Sequence, residues 1–201
     1  MPPAAERFSD ELEDWSSRVD TPTIGSFGEV FGPRGFAVLV LVLMAPSATP
    51  LPTGGVTQVL EVVAALVALQ MILGRDTVWL PASWSRRELG SGVTDKAIPW
   101  LVRVIRWFER FSRPRGTWVF RHRTMRRLLG VVLVVCVVFA GLAPPFSGLD
   151  TLPALGAVLV ALAMLLEDVV ILIVGVVVAT GGAVLILTVG AAVVRFAADL
   201  V

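Results

Sequence analysis

One cysteine, Cys136, and one histidine, His122, are all that this 201-residue chain has of the two side chains that most often build disulfides and metal cages. A lone thiol excludes a disulfide framework, and a lone thiol with a lone imidazole excludes the usual His/Cys metal sites, so only carboxylates remain as clustered ligands. Charge is scarce too: 16% of residues are Asp, Glu, Lys or Arg, against about a quarter in an ordinary soluble domain. There is no phosphate-cradling Gly-x-x-x-x-Gly-Lys, no His pair at metal spacing and no nucleophile with a matched base. The chain therefore reads as non-enzymatic, with no cofactor and no metal. What it has in excess is apolar surface, with 56% hydrophobic residues and a mean hydropathy of +0.82. That excess needs a solvent other than water, and a bilayer supplies one.

The net charge of +1 hides blocks of opposite sign. Residues 1–34 hold seven acids and three arginines, a net of −4, whereas residues 75–127 hold thirteen of the seventeen basic groups against four acids, a net of +9. Basic residues beside apolar segments stay on the cytoplasmic side during insertion. This places residues 75–127 and the N-terminus on the cytoplasmic side of a multi-pass membrane protein. The flanking apolar spans argue against nucleic acid as the partner of the basic block.

Residues 1–34 form an acidic amphipathic segment, with Phe8, Leu12 and Trp15 at helical spacing and Ile24, Phe27 and Phe31 following a candidate N-cap, Thr23. Its acidic start does not read as a signal peptide; the expectation is a short cytoplasmic helix against the membrane or the basic segment. Residues 35–201 read as one membrane domain: a first half 35–76, a basic interfacial connector 77–127, a second half 128–168 and an apolar C-terminal segment 169–201. The run from Phe36 to Leu51 is interrupted by Pro46 and Pro50, leaving a helix short of the ~20 residues that cross a bilayer. It either thins the bilayer, draws on flanking residues or turns back. Val56–Leu73 is long enough to span but carries Glu61 and Gln70.

In the connector, Ile98–Phe111 puts Arg103, Arg106 and Arg110 on one helical face and Leu101, Ile105 and Phe108 on the other. That pattern predicts a helix in the headgroup plane, its three arginines on anionic lipid heads. Five of the six tryptophans fall in the same region, where indoles favour the interface. The second half runs from Leu128 to Pro144, breaks, and resumes at Leu155–Leu166. The stretch Val169–Val194 is either one long tilted helix or a hairpin around Gly181 and Gly182. The expected class is all-α integral membrane: two similar helix-break-helix halves joined by a basic interfacial helix, plus the long C-terminal segment.

Sliding the chain by 93 positions pairs Pro52 with Pro145, Gly55 with Gly148, and Leu66, Val67, Ala68, Leu69, Met71 and Leu73 with Leu159, Val160, Ala161, Leu162, Met164 and Leu166. An internal duplication follows. Breaks at matching places, here Pro50, Pro52, Gly54 and Gly55 against Pro144, Pro145 and Pro153, point to a midplane substrate site in transporters. The alternative is that the prolines only shape tight extracytoplasmic loops.

Six polar residues stand out as candidates for substrate or coupling. Glu61 sits in an apolar span where a charged form is costly, which suits a proton or cation relay or, alternatively, a snorkelling acid near the outer interface. Gln70 suits an interhelical hydrogen bond. Arg75 and Asp76, and Glu167 and Asp168, end their spans at the cytoplasmic face, where an arginine could hold a lipid-linked phosphate or pair with a carboxylate of the other half; the alternative is that these charges simply stop helices at the headgroups.

Three stretches resemble the ExoD family of bacterial membrane proteins: TIGSFGEVFGPRGFAVLVLVL at 23–43, PLPTGGVTQVLEVVAALVALQMILGRDTVWLP at 50–81 and PPFSGLDTLPALGAVLVALAMLLEDVVILIVG at 144–175. The Gly-x-Arg-Gly opening, the Q-x-x-x-G-R with W-L-P, and the L-P-A-L with E-D occur in family order; Thr53 and Val169 stand where the family usually has Pro and Gly. The resemblance implies an inner-membrane protein linked to exopolysaccharide synthesis or export, or to handling of its lipid carrier. Anionic lipids, a lipid-linked polysaccharide precursor and a second copy of the chain are the expected partners. The rival readings are a proton- or ion-coupled transporter using Glu61, and a scaffold that recruits polysaccharide enzymes through the basic segment. The topology puts Ser112 inside and Ser47 and Ser147 outside.

Overall fold

The computed structural model describes residues 8–18, 31–49, 56–79, 98–112, 115–143 and 148–198. Among the described residues there are eight helices and no strand: α1 (Phe8–Arg18), α2 (Pro33–Met44), α3 (Val56–Ile72), α4 (Ile98–Glu109), α5 (Thr117–Arg121), α6 (Arg123–Leu142), α7 (Thr151–Leu166) and α8 (Val169–Ala198). Helices α2, α3, α6, α7 and α8 form the bundle: α7 packs on α2, α6 and α8, and α3 packs on α2 and α6. The α1–α4 pair lies at one end.

Side-chain pairs between helix termini define two ends. Arg34 in the first turn of α2 reaches Glu167 at the close of α7, and Asp76 just beyond α3 reaches Arg123 and Arg126 at the start of α6. We call this the charged end. At the far end, Ser47 after α2 bonds Glu61 in the second turn of α3, and Gly141 of α6 lies against the same carboxylate. Helices α2 and α6 therefore run from the charged end to the far end, and α3 and α7 return.

The starts of these helices are legible chemistry. Proline stands in the first turn of α2, where its fixed φ suits a helix start and its missing N–H costs nothing. Pro153 does the same in the first turn of α7; it belongs to the helix rather than to the expected break. Pro50, Pro52, Gly54, Gly55, Pro144 and Pro145 lie outside the described residues, as do Ile24, Phe27 and Ser147. The first apolar run resolves as a 12-residue α2 that recruits Pro33–Gly35 on its N-terminal side. A turn follows and brings Ser47 back onto α3.

The bundle core mixes large buried side chains, among them Phe36, Leu41, Met44, Leu133 and Leu162, with small residues at the helix contacts. Small residues face inward: Ala64 and Ala68 of α3, Gly130 and Ala140 of α6, and Ala154, Gly156, Ala157, Ala161 and Ala163 of α7. Large apolar residues face outward, as Val59, Val62, Leu66 and Leu69 on α3 with Leu73 just after it, and Leu128, Val131, Val135, Val138 and Leu142 on α6. Both stripes follow the alternating spacing of three and four that keeps one helical face turned the same way. Small inward residues let helix backbones approach closely. The α7–α8 seam shows the extreme: a Cβ built on Gly156 would sit 2.6 Å from that of Ala179, and one on Gly182 would sit 2.6 Å from Pro153 Cδ.

The glycine pair Gly181–Gly182 does not break the C-terminal segment, which is one helix of 30 residues. The 93-residue offset pairs α3 with α7, which run in the same sense. Their surroundings differ, since Leu69 is 45% exposed and its counterpart Leu162 is fully buried. Among the described residues two helical stretches, Arg123–Leu142 and Val169–Ala192, are long and apolar enough to cross a membrane, and α2, α3 and α7 are shorter apolar helices. Trp79, Trp100, Trp107 and Trp118 are exposed.

Candidate functional site

Glu61 lies on the inward face of α3 with Thr57 one turn before it and Ala64 one turn after. Ser47 donates its hydroxyl to Glu61 Oε1 at 2.8 Å, and the pair is sealed: Ser47 is 1% and Glu61 4% exposed. Gly141 gives the other carboxylate oxygen room, since even a Cβ at that position would stand 3.5 Å from Oε2. Asp150, before α7, lies within electrostatic reach of the Glu61 carboxyl. A carboxyl group held this far from water, with a hydroxyl on one oxygen, is a place where a proton can reside.

At the charged end the side chains form bridges between elements. Asp76 accepts from Arg126 at 2.9 Å and from Arg123 at 3.1 Å, and these two guanidiniums hold its carboxyl below the usual carboxylate range. Arg34 reaches Glu11 of α1 and Glu167, each at 3.4 Å. Glu167 itself closes α7 with a φ of 51°, a left-handed turn that a non-glycine residue adopts at a cost of about 1 kcal/mol. Asp168 starts α8: its Oδ1 accepts the Val170 N–H at 2.8 Å and its Oδ2 accepts from Ser112 Oγ at 3.0 Å, the geometry of a helix cap.

The basic face of α4 meets α1. Arg106 pairs with Glu13 at 2.6 Å and with Asp10 at 3.3 Å, and both acids, Glu13 foremost, bind the guanidinium charge more firmly. Ser9 bonds Glu109 through both its amide and its hydroxyl. Of the three arginines expected on lipid heads, Arg106 is thus engaged by the acidic segment, while Arg103 and Arg110 are exposed. The buried stripe of α4 is Ile98, Leu101, Val102 and Ile105, with Phe108 only partly covered.

The six sequence candidates do not form one site. Glu61 stands at the far end, and Gln70, Arg75, Asp76, Glu167 and Asp168 stand at or near the charged end; from Glu61 to Gln70 alone is nine residues, about 14 Å along α3. Gln70 makes no bond to another helix among those described; its Oε1 accepts the Trp79 N–H at 2.7 Å and so folds the segment after α3 back on itself. Arg75 lies over the Trp79 ring at 5.6 Å, and the carboxylate-to-arginine pairing here is made by Asp76 with Arg123 and Arg126 of the connector. Sequence reasoning passed over Ser47, Arg34 and Arg126. Arg34 was visible in the Gly-x-Arg-Gly opening, whereas Ser47 had no signal beyond its place before the break. Ser47 is buried, so a cysteine there reports on packing rather than on sidedness. Among the described residues no group of three or more His, Cys, Asp or Glu is placed to hold a metal ion.

No solved structure matches the chain. A curated relative, the uncharacterized protein slr1875 of Synechocystis sp., is 29% identical over 156 residues, covering 74% of this chain and 71% of that protein. The family described as "Exopolysaccharide synthesis, ExoD" matches residues 8–188, which takes in every helix from α1 to most of α8. With the Gly-x-Arg-Gly start of α2, the buried acid of α3 and the Glu-Asp turn between α7 and α8 all inside that match, the chain belongs to the ExoD family.

Proposed function

We propose that this protein is a multi-pass protein of the bacterial cytoplasmic membrane that supports exopolysaccharide synthesis or export, or the handling of its lipid carrier, without catalysing a reaction itself. The observation that carries the membrane reading is the pair of outward apolar stripes on α3 and α6 around an interior that is itself apolar. Contiguous apolar faces of that extent are not left to water by soluble monomers. The charged end, rich in arginine and exposed tryptophan, is the cytoplasmic one. The family supplies the exopolysaccharide role. The same-sense α2–α3 and α6–α7 hairpins support reading the halves as a duplication.

Sidedness tests the placement. Cys136 is buried, so cysteines introduced at Thr49 and Thr124, both exposed and at opposite ends, are read against a silent background. In intact cells an impermeant maleimide labels Thr49→Cys and spares Thr124→Cys until the membrane is opened; equal labelling of both refutes the topology. Loss of secreted polysaccharide on gene deletion, restored by the wild-type chain, tests the role.

A second reading, a proton- or ion-coupled carrier, is favoured by the sealed Ser47–Glu61 pair. Glu61→Gln separates the two: a carrier loses coupled transport in reconstituted vesicles, and a supporting protein keeps its polysaccharide output.

A further inference from the structure

At the charged end a cleft of about 410 Å³ opens between α2, α5, α6 and α7. Its volume falls in the range of small-molecule sites, about 300–1,000 Å³. Two kinds of wall meet there. Phe31, Phe120 and Leu129 form a buried apolar floor, with Met164 beside them, while Arg34 and Arg126 supply two guanidiniums and Glu167 one carboxylate. A guanidinium has five N–H donors. Among the described residues Arg126 gives one Nη to Asp76, and Arg34 is met by Glu11 and Glu167 only at 3.4 Å, the long edge of a hydrogen bond. Donor capacity is therefore concentrated at the mouth of an apolar cavity.

Helix α1 reaches Arg34. Its Glu11 pairs with the guanidinium, its Phe8 ring lies 5.7 Å from it, and Phe8 packs edge-on against Phe31 of the cleft at 5.3 Å. The Glu11 carboxylate thus engages one Nη of the Arg34 guanidinium and Glu167 the other, so each competes for the charge an anionic ligand would use.

We propose that this cleft takes the head of a phosphate-bearing amphiphile, Arg34 and Arg126 holding the phosphate and Phe31, Leu129 and Met164 receiving the first apolar carbons, with Glu11 competing for Arg34. Planar forked donors match phosphate oxygens, and two of them on one anion give orientation as well as affinity. The exposed arginines of α4 attract anionic surfaces in general; the cleft selects one molecule because its floor is apolar and buried. The proposal rests on the membrane reading, which would bring lipid to this end of the bundle.

The test is saturation binding to the full-length protein in an uncharged detergent, with three probes: dihexanoyl phosphatidic acid, dihexanoyl glycerol and inorganic phosphate. Phosphatidic acid is expected to bind at one saturable site, with the headless glycerol and the tailless phosphate each at least tenfold weaker, as follows from dividing a two-part site. Arg34→Gln and Arg126→Gln each weaken phosphatidic acid roughly tenfold or more, and Arg103→Gln leaves it within about twofold. Glu11→Gln tightens binding roughly threefold by removing the competitor, a gain that misfolding does not produce. Equal binding by inorganic phosphate or by the glycerol, unchanged affinity in both arginine variants, or no gain in Glu11→Gln overturns the proposal. If phosphatidic acid fails while Thr49→Cys and Thr124→Cys still report opposite faces, the cleft falls and the membrane reading stands.

Discussion

The two ends of the bundle solve the same problem, polar groups at helix termini, in opposite ways. At the charged end carboxylates and guanidiniums meet in pairs that are largely open to solvent, such as Asp76 with Arg123 and Arg34 with Glu11. At the far end one hydroxyl and one carboxyl, Ser47 and Glu61, are sealed together. Exposed pairs gain little because water and salt screen them, whereas a buried group that loses its partner bears the full cost of desolvation. Many charges thus hold the first end loosely, and a single hydrogen bond matters at the second.

That contrast can be broken by substitution. Ser47→Ala leaves a buried carboxyl oxygen unpaired and should cost about 1–2 kcal/mol, read as a lower unfolding midpoint in mixed micelles; Glu61→Gln, which keeps an acceptor for Ser47, should cost less. A wild-type midpoint for Ser47→Ala would erase the distinction between the ends. Asp168→Ala removes the α8 cap and should cost about 1 kcal/mol, the largest effect among charged-end carboxylates, with the first turn of α8 exchanging its amide protons faster. Glu167→Gly relieves the left-handed strain while giving up a long contact to Arg34, so the balance should lie between zero and a gain of about 1 kcal/mol. A clear loss would mark Arg34–Glu167 as a firmer tie than its 3.4 Å suggests.

Asp76→Asn should have the smallest effect, and one that fades in high salt. Its sign with pH is fixed. Because Arg126 and Arg123 lower the Asp76 pKa in the folded protein, the stabilisation is complete above about pH 4 and disappears as the pH falls through the lowered value. Wild-type and variant melting curves should keep a constant offset from about pH 5 to 8 and converge only in acid.

Helix positions were readable because apolar runs bounded by Pro, Gly and charge leave few alternatives. The boundaries of α3 and α4 fall within two residues of the runs that announced them. Burial was not readable in the same way. Leu69 and Leu162 occupy matching places in similar sequence, yet one lies on the perimeter and the other in the centre, because when every face is apolar the periodicity no longer says which face is inside. Site residues divided similarly. Glu61 announced itself as a charge in an oily run, and Asp168 as a charge between two, but the partners Ser47 and Ser112 are ordinary serines, identified only once the chain reversals bring them across. The pairing of Arg106 with α1 was foreshadowed by opposite net charges in the two segments, although the individual acids were not.

The unequal lengths of α7 and α8 carry a further consequence. Sixteen residues of α7 rise about 24 Å and thirty of α8 about 45 Å, and the glycine seam clamps them side by side from the charged end to Gly182. In the membrane setting proposed above, one slab of hydrocarbon would not match both heights, so lipid would stretch along the longer rod, or that rod would lean. We expect acyl-chain length to set how much elastic load this mismatch places on the clamp. Reconstitution across a series from thin to thick bilayers would reveal it as a stability that peaks at one thickness, and a flat response would show that the overhang lies clear of the oil.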